Sequence, residues 1–305
     1  NLSMIGIGNE QWYIKGNQWY DRYEAFEKEI HKIYPDIKLI STSGPSASGT
    51  SFDEAWNWIR ENNAKNNSFT YAVDEHYYMS PEWFLANDTR YDKYDRNTKV
   101  FAGEYAAHTT LTGTAEKKNN LESAITEAAF MTGLERNADV VYMASYAPLF
   151  ARLNYTQWAP DMIWFDNLNS VRTVSYYVQQ LYAQNKGTNV LPLTMNKKSV
   201  TGAEGQNGLF ASAVYDKDKN ELIVKVANTS NTAQSISLNF AGLKKQDVLS
   251  NGRCIKLRSL DLDKDNTLEQ PFAITPQETA VSVEGHVFTT EQEPNTFAVY
   301  KFTKK

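Results

Sequence analysis

Two glutamates in this chain stand where a carboxylate is hard to keep. Glu10 closes the run Gly6-Ile7-Gly8-Asn9 and is followed by Gln11 and Trp12. Glu104 closes Val100-Phe101-Ala102-Gly103 and is followed by Tyr105. Each directly ends a run that suits a buried strand, after an amide in one case and a glycine in the other. A carboxylate there loses hydration and needs compensation, a cost that active sites tolerate. One such glutamate alone is as readily an ion-pair partner for a nearby Lys or Arg. Two of them facing one cavity are the minimal equipment for glycoside hydrolysis. One protonates the leaving oxygen, and the other attacks the anomeric carbon or activates water.

Other chemistry-bearing residues carry weaker expectations. Another β-rich run ends in Asp74-Glu75-His76-Tyr77-Tyr78. His76 fits either a satisfied core histidine or a site residue, while Asp74 and Glu75 suit structural hydrogen bonds. Trp12 and Trp158 fit packing or flat platforms for the CH faces of a sugar. Asn154, Tyr155 and Gln157 fall where a last strand-to-helix loop would lie, with no pattern that assigns them a role. His31, His108 and His286 show no partner spacing for a metal, so no metal and no cofactor is expected. Cys254 is the only cysteine, which excludes an intrachain disulfide framework and a cysteine-based zinc site. It is expected to be inert.

The elements that would position these residues follow from periodicity. Leu2 to Gly8 reads as a strand buried on both faces. Trp19, Tyr23, Phe26, Ile30 and Ile33 trace one face of a helix that Pro35 stops. Ile37–Ile40 is a strand, and Phe52–Lys65 a helix with Ser51 or Asp53 as its cap. Phe69–Tyr78 is a strand, and a helix capped by Ser80 runs from Pro81 to about Tyr94. Lys99–Tyr105 is a strand. Leu121–Ala138 is a helix with Leu121, Ala124, Ile125, Ala128 and Met131 on one side. Val140–Tyr146 is a strand, and Asn167–Asn185 a helix ended by Lys186-Gly187. Five strand–helix units in a row predict a parallel sheet with helices outside, either doubly wound or part of a (β/α)8 barrel. In either case function gathers at the carboxyl ends of the strands, where Glu10 and Glu104 fall.

From Thr188 onward the helical period vanishes. Leu222, Val224 and Val226 alternate with polar neighbours, as do Ile236, Leu238 and Phe240, and Phe297 with Val299. Asp216 to Asn220, "DKDKN", reads as a hairpin turn. The expectation is α/β plus all-β: a partial barrel over residues 1–187 and an antiparallel β-sandwich over 188–305. A net charge of −5 argues against a nucleic-acid partner. No apolar run approaches the roughly 20 residues that span a bilayer. Seven Trp and 18 Tyr supply either a large core or sugar-stacking faces.

The motifs carry a resemblance. Strands ending in "GNE" and, three strands later, "GE" resemble the catalytic pattern of the clan A barrel glycosidases. "VDEHYY", "PEWF", "YDKYDR", "VFAGEYA", "APDMIWFDN" and "NTFAVYKF" look like the α-L-arabinofuranosidases of glycoside hydrolase family 51. The resemblance covers nearly the whole chain and implies a TIM barrel from its strand four to strand eight, then the C-terminal sandwich. It implies Glu10 as general acid/base, Glu104 as nucleophile and Asn9 as a ligand of the sugar 2-hydroxyl. His76 and Tyr78 would shape the sugar subsite and hold the nucleophile. A retaining mechanism would go with these roles, with the carboxyl groups about 5–5.5 Å apart. The substrate would be an arabinose-containing polysaccharide or oligosaccharide, with terminal arabinose released. A related β-xylosidase or endoglucanase would share both glutamates, and a non-catalytic carbohydrate-binding module is the alternative of another class.

The departure from that family is the absence of strands one to three. The chain opens without Met on what looks like the middle of a strand, so we read it as part of a longer polypeptide whose export signal, if any, lies elsewhere. Open sheet edges need cover, from the missing strands or from a second copy. With half the sugar subsite gone, the fragment by itself could be inactive. Polysaccharide substrates favour an extracellular or periplasmic location over the cytoplasm.

Overall fold

A computed structural model describes residues 2–12, 18–109 and 119–305. The chain forms two compact units. Residues 1–78, 91–106 and 137–147 make the first, and 79–90, 107–136 and 148–305 the second.

The first unit carries a five-stranded half-barrel sheet in chain order: β1 (Met4–Gly6), β2 (Lys38–Thr42), β3 (Ala72–Met79), β4 (Lys99–Ala107) and β5 (Val141–Tyr146). β1 with β2, β2 with β3, and β4 with β5 pair parallel. Helix α1 (Trp19–Ile33) buries Trp19 and Tyr23 against Ile7, Leu39 and Phe69. Its stripe is narrower than the periodicity predicts: Ile30 packs against this cluster, but Phe26 and Ile33 are exposed. The helix does stop before Pro35. Helix α2 (Thr50–Lys65) buries Phe52, Ala55, Trp56 and Ile59 at helical spacing. Its cap position is Gly49, at φ 102, and not Ser51 or Asp53. β1 is not buried on both faces. Met4 and Ile5 are half-buried and Gly6 is exposed, since β1 is an edge strand with β2 as its neighbour.

β3 is the strand on which the rest turns. Successive side chains of a strand point to opposite faces. Asp74, His76 and Tyr78 therefore share one face, and Glu75 and Tyr77 the other.

In the second unit the helix expected over 81–94 is only one and a half turns, α3 (Pro81–Ala86), capped by Ser80 as expected. It ends because Asn87 folds back: its side chain donates to the Trp83 carbonyl at 2.8 Å, and short polar side chains compete with the helix in this way. Helix α4 (Leu121–Arg136) is buried on nearly every side, with only Glu122, Glu135 and Arg136 partly exposed. A one-sided face was expected. A helix apolar all round is a core helix, and α4 packs against α3, α5, β9, β12, β13 and β18 of this unit.

The helix expected over 167–185 is halved. Residues 150–172 fold as a small sheet of β6 (Phe150–Arg152), β7 (Ile163–Phe165) and β8 (Ser170–Arg172). Asp166 closes the β7–β8 turn, accepting from the Leu168 and Asn169 amides at 2.7 and 2.6 Å. α5 (Val174–Gln184) then starts at Thr173, whose hydroxyl accepts from the Tyr176 amide.

The remaining strands are β9 (Asn189–Leu191), β10 (Thr194–Met195), β11 (Lys198–Ser199), β12 (Leu209–Asp216), β13 (Glu221–Asn228), β14 (Gln234–Asn239), β15 (Leu249–Arg258), β16 (Gln277–Ala280), β17 (Val287–Gln292) and β18 (Thr296–Lys304). They form an antiparallel six-stranded sheet in the order β16-β15-β18-β13-β12-β9, a β14–β17 pair and a β10–β11 hairpin. "DKDKN" does turn β12 into β13, with the Asp216 carboxylate accepting from the Asp218 and Lys219 amides. β13 departs from the expected alternation, for all eight residues are buried. Helix α4 lies against the second face. The aliphatic side of β13 joins a core of Leu222, Val224, Val226, Tyr300 and Phe302. On the α4 side the Lys225 ammonium meets Glu135 at 2.5 Å and the Asn185 carbonyl at 2.8 Å. An apolar cavity of 730 Å³ opens beside this core, lined by Leu193, Met195, Ile236, Leu238 and Phe240 among others. Cys254 is buried in the sandwich, where desolvation pushes its thiol up to about 11.

Candidate active site

The loop after β1 delivers Glu10. Gly8 makes the loop possible: at φ 79 it occupies the left-handed region, and a Cβ there would lie 2.6 Å from the Trp19 ring. Glu10 itself sits at φ 52. A left-handed non-glycine residue costs of order 1–3 kcal/mol and tends to occur where geometry serves function. Glu104 comes from β4, directly after Gly103.

The two glutamates converge on His76. The His76 Nδ1 lies 2.8 Å from Glu10 Oε1 and 3.5 Å from Glu104 Oε2. One oxygen of each carboxylate and the imidazole nitrogen all lie within 4.8 Å of one another. The Tyr78 hydroxyl donates to Glu104 Oε2 at 2.7 Å. On the far side of the ring, Nε2 lies 3.2 Å from Asp74 Oδ2, a close ionic contact without good hydrogen-bond alignment. His76 is fully buried, whereas the Glu10 and Glu104 side chains are 34% and 31% exposed. The carboxylates thus face solvent from a buried imidazole floor.

Electrostatics decide the state of that floor. Burial works against an imidazolium, but Asp74 first, then Glu10 and Glu104, outweigh it and raise the His76 pKa to about 9. Near neutral pH the ring is a cation with two N–H donors. Glu10, His76 and Glu104 are also a donor set that a metal ion could use, but a protonated ring has no lone pair to offer. The arrangement fits a hydrogen-bonded acid–base site.

The other face of β3 explains why the strand holds still. Buried Glu75 accepts from the Trp56 indole at 2.9 Å, from the Tyr91 and Tyr94 hydroxyls at 2.9 and 3.0 Å, and from the Tyr77 hydroxyl. Glu75 is structural, as its sequence context predicts. Asp74 is not only that, because it joins the cluster. The signal for it was the two-residue spacing of Asp74, His76 and Tyr78 on a predicted strand.

Asn9 is exposed, and its carbonyl accepts from the Gln11 side chain at 3.1 Å. Trp12 is half-buried, its Cβ over Gly44. Trp158 belongs to the second unit, 41% exposed, its ring 5.7 Å from that of His108.

A parallel half-barrel that gathers two glutamates at its strand ends has the make-up of a barrel glycoside hydrolase. Comparison with known proteins narrows the class. Residues 103–295 match the model of the α-L-arabinofuranosidase C-terminal domain, and residues 1–96 that of the α-L-arabinofuranosidase 1 domain. The chain is 43% identical over 224 residues to an extracellular exo-α-L-arabinofuranosidase of Streptomyces chartreusis, covering 72% of this chain and 25% of that protein. It is 32% identical over 293 residues to α-L-arabinofuranosidase A of Aspergillus kawachii, covering 95% of this chain and 41% of the relative. An arabinose-bound α-L-arabinofuranosidase structure of glycoside hydrolase family 51 superposes with a TM-score of 0.84 at 30% identity, over 100% of this chain and 46% of that one. The chain belongs to the family 51 α-L-arabinofuranosidases. It spans less than half the length of these relatives.

Proposed function

We propose that this chain carries both catalytic carboxylates of a retaining exo-α-L-arabinofuranosidase, which releases terminal arabinose from arabinose-containing polysaccharides or oligosaccharides. Glu10 is the acid/base and Glu104 the nucleophile that forms the covalent arabinosyl intermediate. Asn9 takes the sugar 2-hydroxyl, His76 and Tyr78 hold Glu104 and shape the subsite, and Trp12 and Trp158 offer ring faces to sugar. The catalytic portion runs to about residue 187 and the sandwich follows from 188. No described helix is long and apolar enough to cross a membrane. Action outside the cytoplasm suits a polymer substrate, and the Streptomyces relative is named extracellular.

One observation supports this most: carboxylate oxygens of Glu10 and Glu104 approach within 4.8 Å. Retaining enzymes hold their carboxyl groups about 5–5.5 Å apart, and inverting ones about 6.5–9.5 Å to admit a water. The test is hydrolysis of p-nitrophenyl α-L-arabinofuranoside by this chain and by a full-length relative carrying its site. Glu104→Ala should abolish turnover in the active form with the circular-dichroism signal intact, and proton NMR should show first-formed arabinose with the substrate's anomeric configuration. Inverted product would refute the assigned roles. Polysaccharide binding with no turnover of any aryl glycoside would favour a binding module instead.

A further inference from the structure

Gly103 stands directly before Glu104, and the space over its Cα is already taken. A Cβ built there would lie 2.0 Å from Asp74 Oδ1 and 2.8 Å from Asp74 Cγ. Both atoms belong to the carboxyl group of one side chain, whose other oxygen lies 3.2 Å from His76 Nε2. Oδ1 is buried and has no hydrogen-bond partner. A buried carboxylate oxygen without a donor is costly and calls for an explanation. Nothing at Oδ1 itself supplies one. The gain is at Oδ2, which faces the ring that Glu10 and Glu104 share.

We infer that Asp74 is a positioning residue for His76, wedged over Gly103 so that the ring turns a single N–H toward both Glu10 and Glu104. The consequence for catalysis rests on the roles proposed above for the two glutamates. Among the described residues, the charged groups that face the ring are Asp74 from its own strand, Glu10 from the loop after β1, and Glu104 from β4. With Asp74 in place, Nδ1 lies 2.8 Å from Glu10 and 3.5 Å from Glu104. The same donor is on hand when Glu104 must be an anion to attack, and when Glu10 becomes one after giving its proton to the leaving oxygen. Glycine at 103 is part of the device. Any larger residue displaces the Asp74 carboxylate or pushes β4, with its glutamate, away from the ring.

The inference is tested on this chain by following the His76 ring through its titration by nitrogen-15 NMR, with the signal assigned by its loss in His76→Gln. In the wild type the midpoint should lie near 9, where the three carboxylates around the ring place it. Asp74→Asn keeps the shape and removes the charge, and should lower the midpoint by at least about one pH unit. Gly103→Ala leaves the charge and moves it, and should shift the midpoint the same way. Should either variant fail to fold, the other still decides. A third arm reads the wedge directly: Gly103→Ala should lower the melting temperature less in an Asp74→Ser background than in the wild type. Folded variants that titrate like the wild type, or an equal loss of melting temperature in both backgrounds, would overturn the inference. None of these readouts needs turnover, so they separate this inference from the hydrolase reading.

Discussion

Replacing His76 with Asn should change how stability depends on pH, and the size follows from the structure. The ring is fully buried among three carboxylates and has its pKa raised from 6.5 to about 9. A base whose folded pKa lies above its unfolded value stabilises the fold fully below the unfolded pKa, and loses that contribution as pH rises through the folded one. The window is therefore from 6.5 to about 9. At about 1.36 kcal/mol per pH unit, that gap is worth about 3 kcal/mol. The assay is urea denaturation of wild type and His76→Asn at about pH 6 and about pH 9.5, followed by circular dichroism. Other groups titrate over this range, so the quantity to read is the difference between the two proteins. Wild type should exceed the variant by about 3 kcal/mol more at the lower pH than at the higher. A difference constant to within about 1 kcal/mol would mean that the buried ring is neutral, and the account of a charged floor would fail.

The second unit supplies two further tests. Glu127 is wholly buried, and desolvation raises its pKa to about 8 although Oε1 accepts from the Ala107 amide at 3.0 Å. An acid raised in this way destabilises the fold as pH climbs from its unfolded value through its folded one. Glu127→Gln should raise the melting temperature at about pH 9 and leave it nearly unchanged at about pH 5. Lys225 is buried on Glu135, which also accepts from the Ser212 hydroxyl at 2.5 Å. Glu135→Gln alone should cost about 3–5 kcal/mol in a denaturant titration, because it strands a buried ammonium, whereas Lys225→Met with Glu135→Leu should recover most of that loss.

The candidate site was legible through position more than through composition. Glu10 and Glu104 were visible because a carboxylate ending an apolar run has no bland purpose as one of a pair. The parallel half-barrel was visible because strand and helix periods alternate as far as β5. What stayed hidden depended on partners. Nothing local marks α4 as buried all round, for Glu127 is a polar residue whose neutral state comes from its surroundings. Nothing marks Lys225 as an inward residue until α4 brings Glu135 to it. The helix expected over 167–185 lost its first part for a local reason, since the Asp166 carboxylate captures the Leu168 and Asn169 amides and makes a turn of what periodicity alone reads as helix.

The two faces of β3 show why such a site can be both charged and well placed. A cluster of three carboxylates around one imidazole would spread if its strands could move, because the acids repel one another wherever the single cation does not reach. Glu104 is held by Tyr78 from the same face. β3 in turn is pinned from behind by the Glu75 cage, whose donors come from α2 and from residues 91–94. The period of two in the strand thus divides the work. Odd positions fix the backbone through a buried, fully engaged carboxylate, and even positions present Asp74, His76 and Tyr78 to the glutamates. A slip of one residue in β3 would exchange the faces and put Glu75 among the acids with no cation beside it. Register, more than any one hydrogen bond, makes the convergence of Glu10 and Glu104 possible.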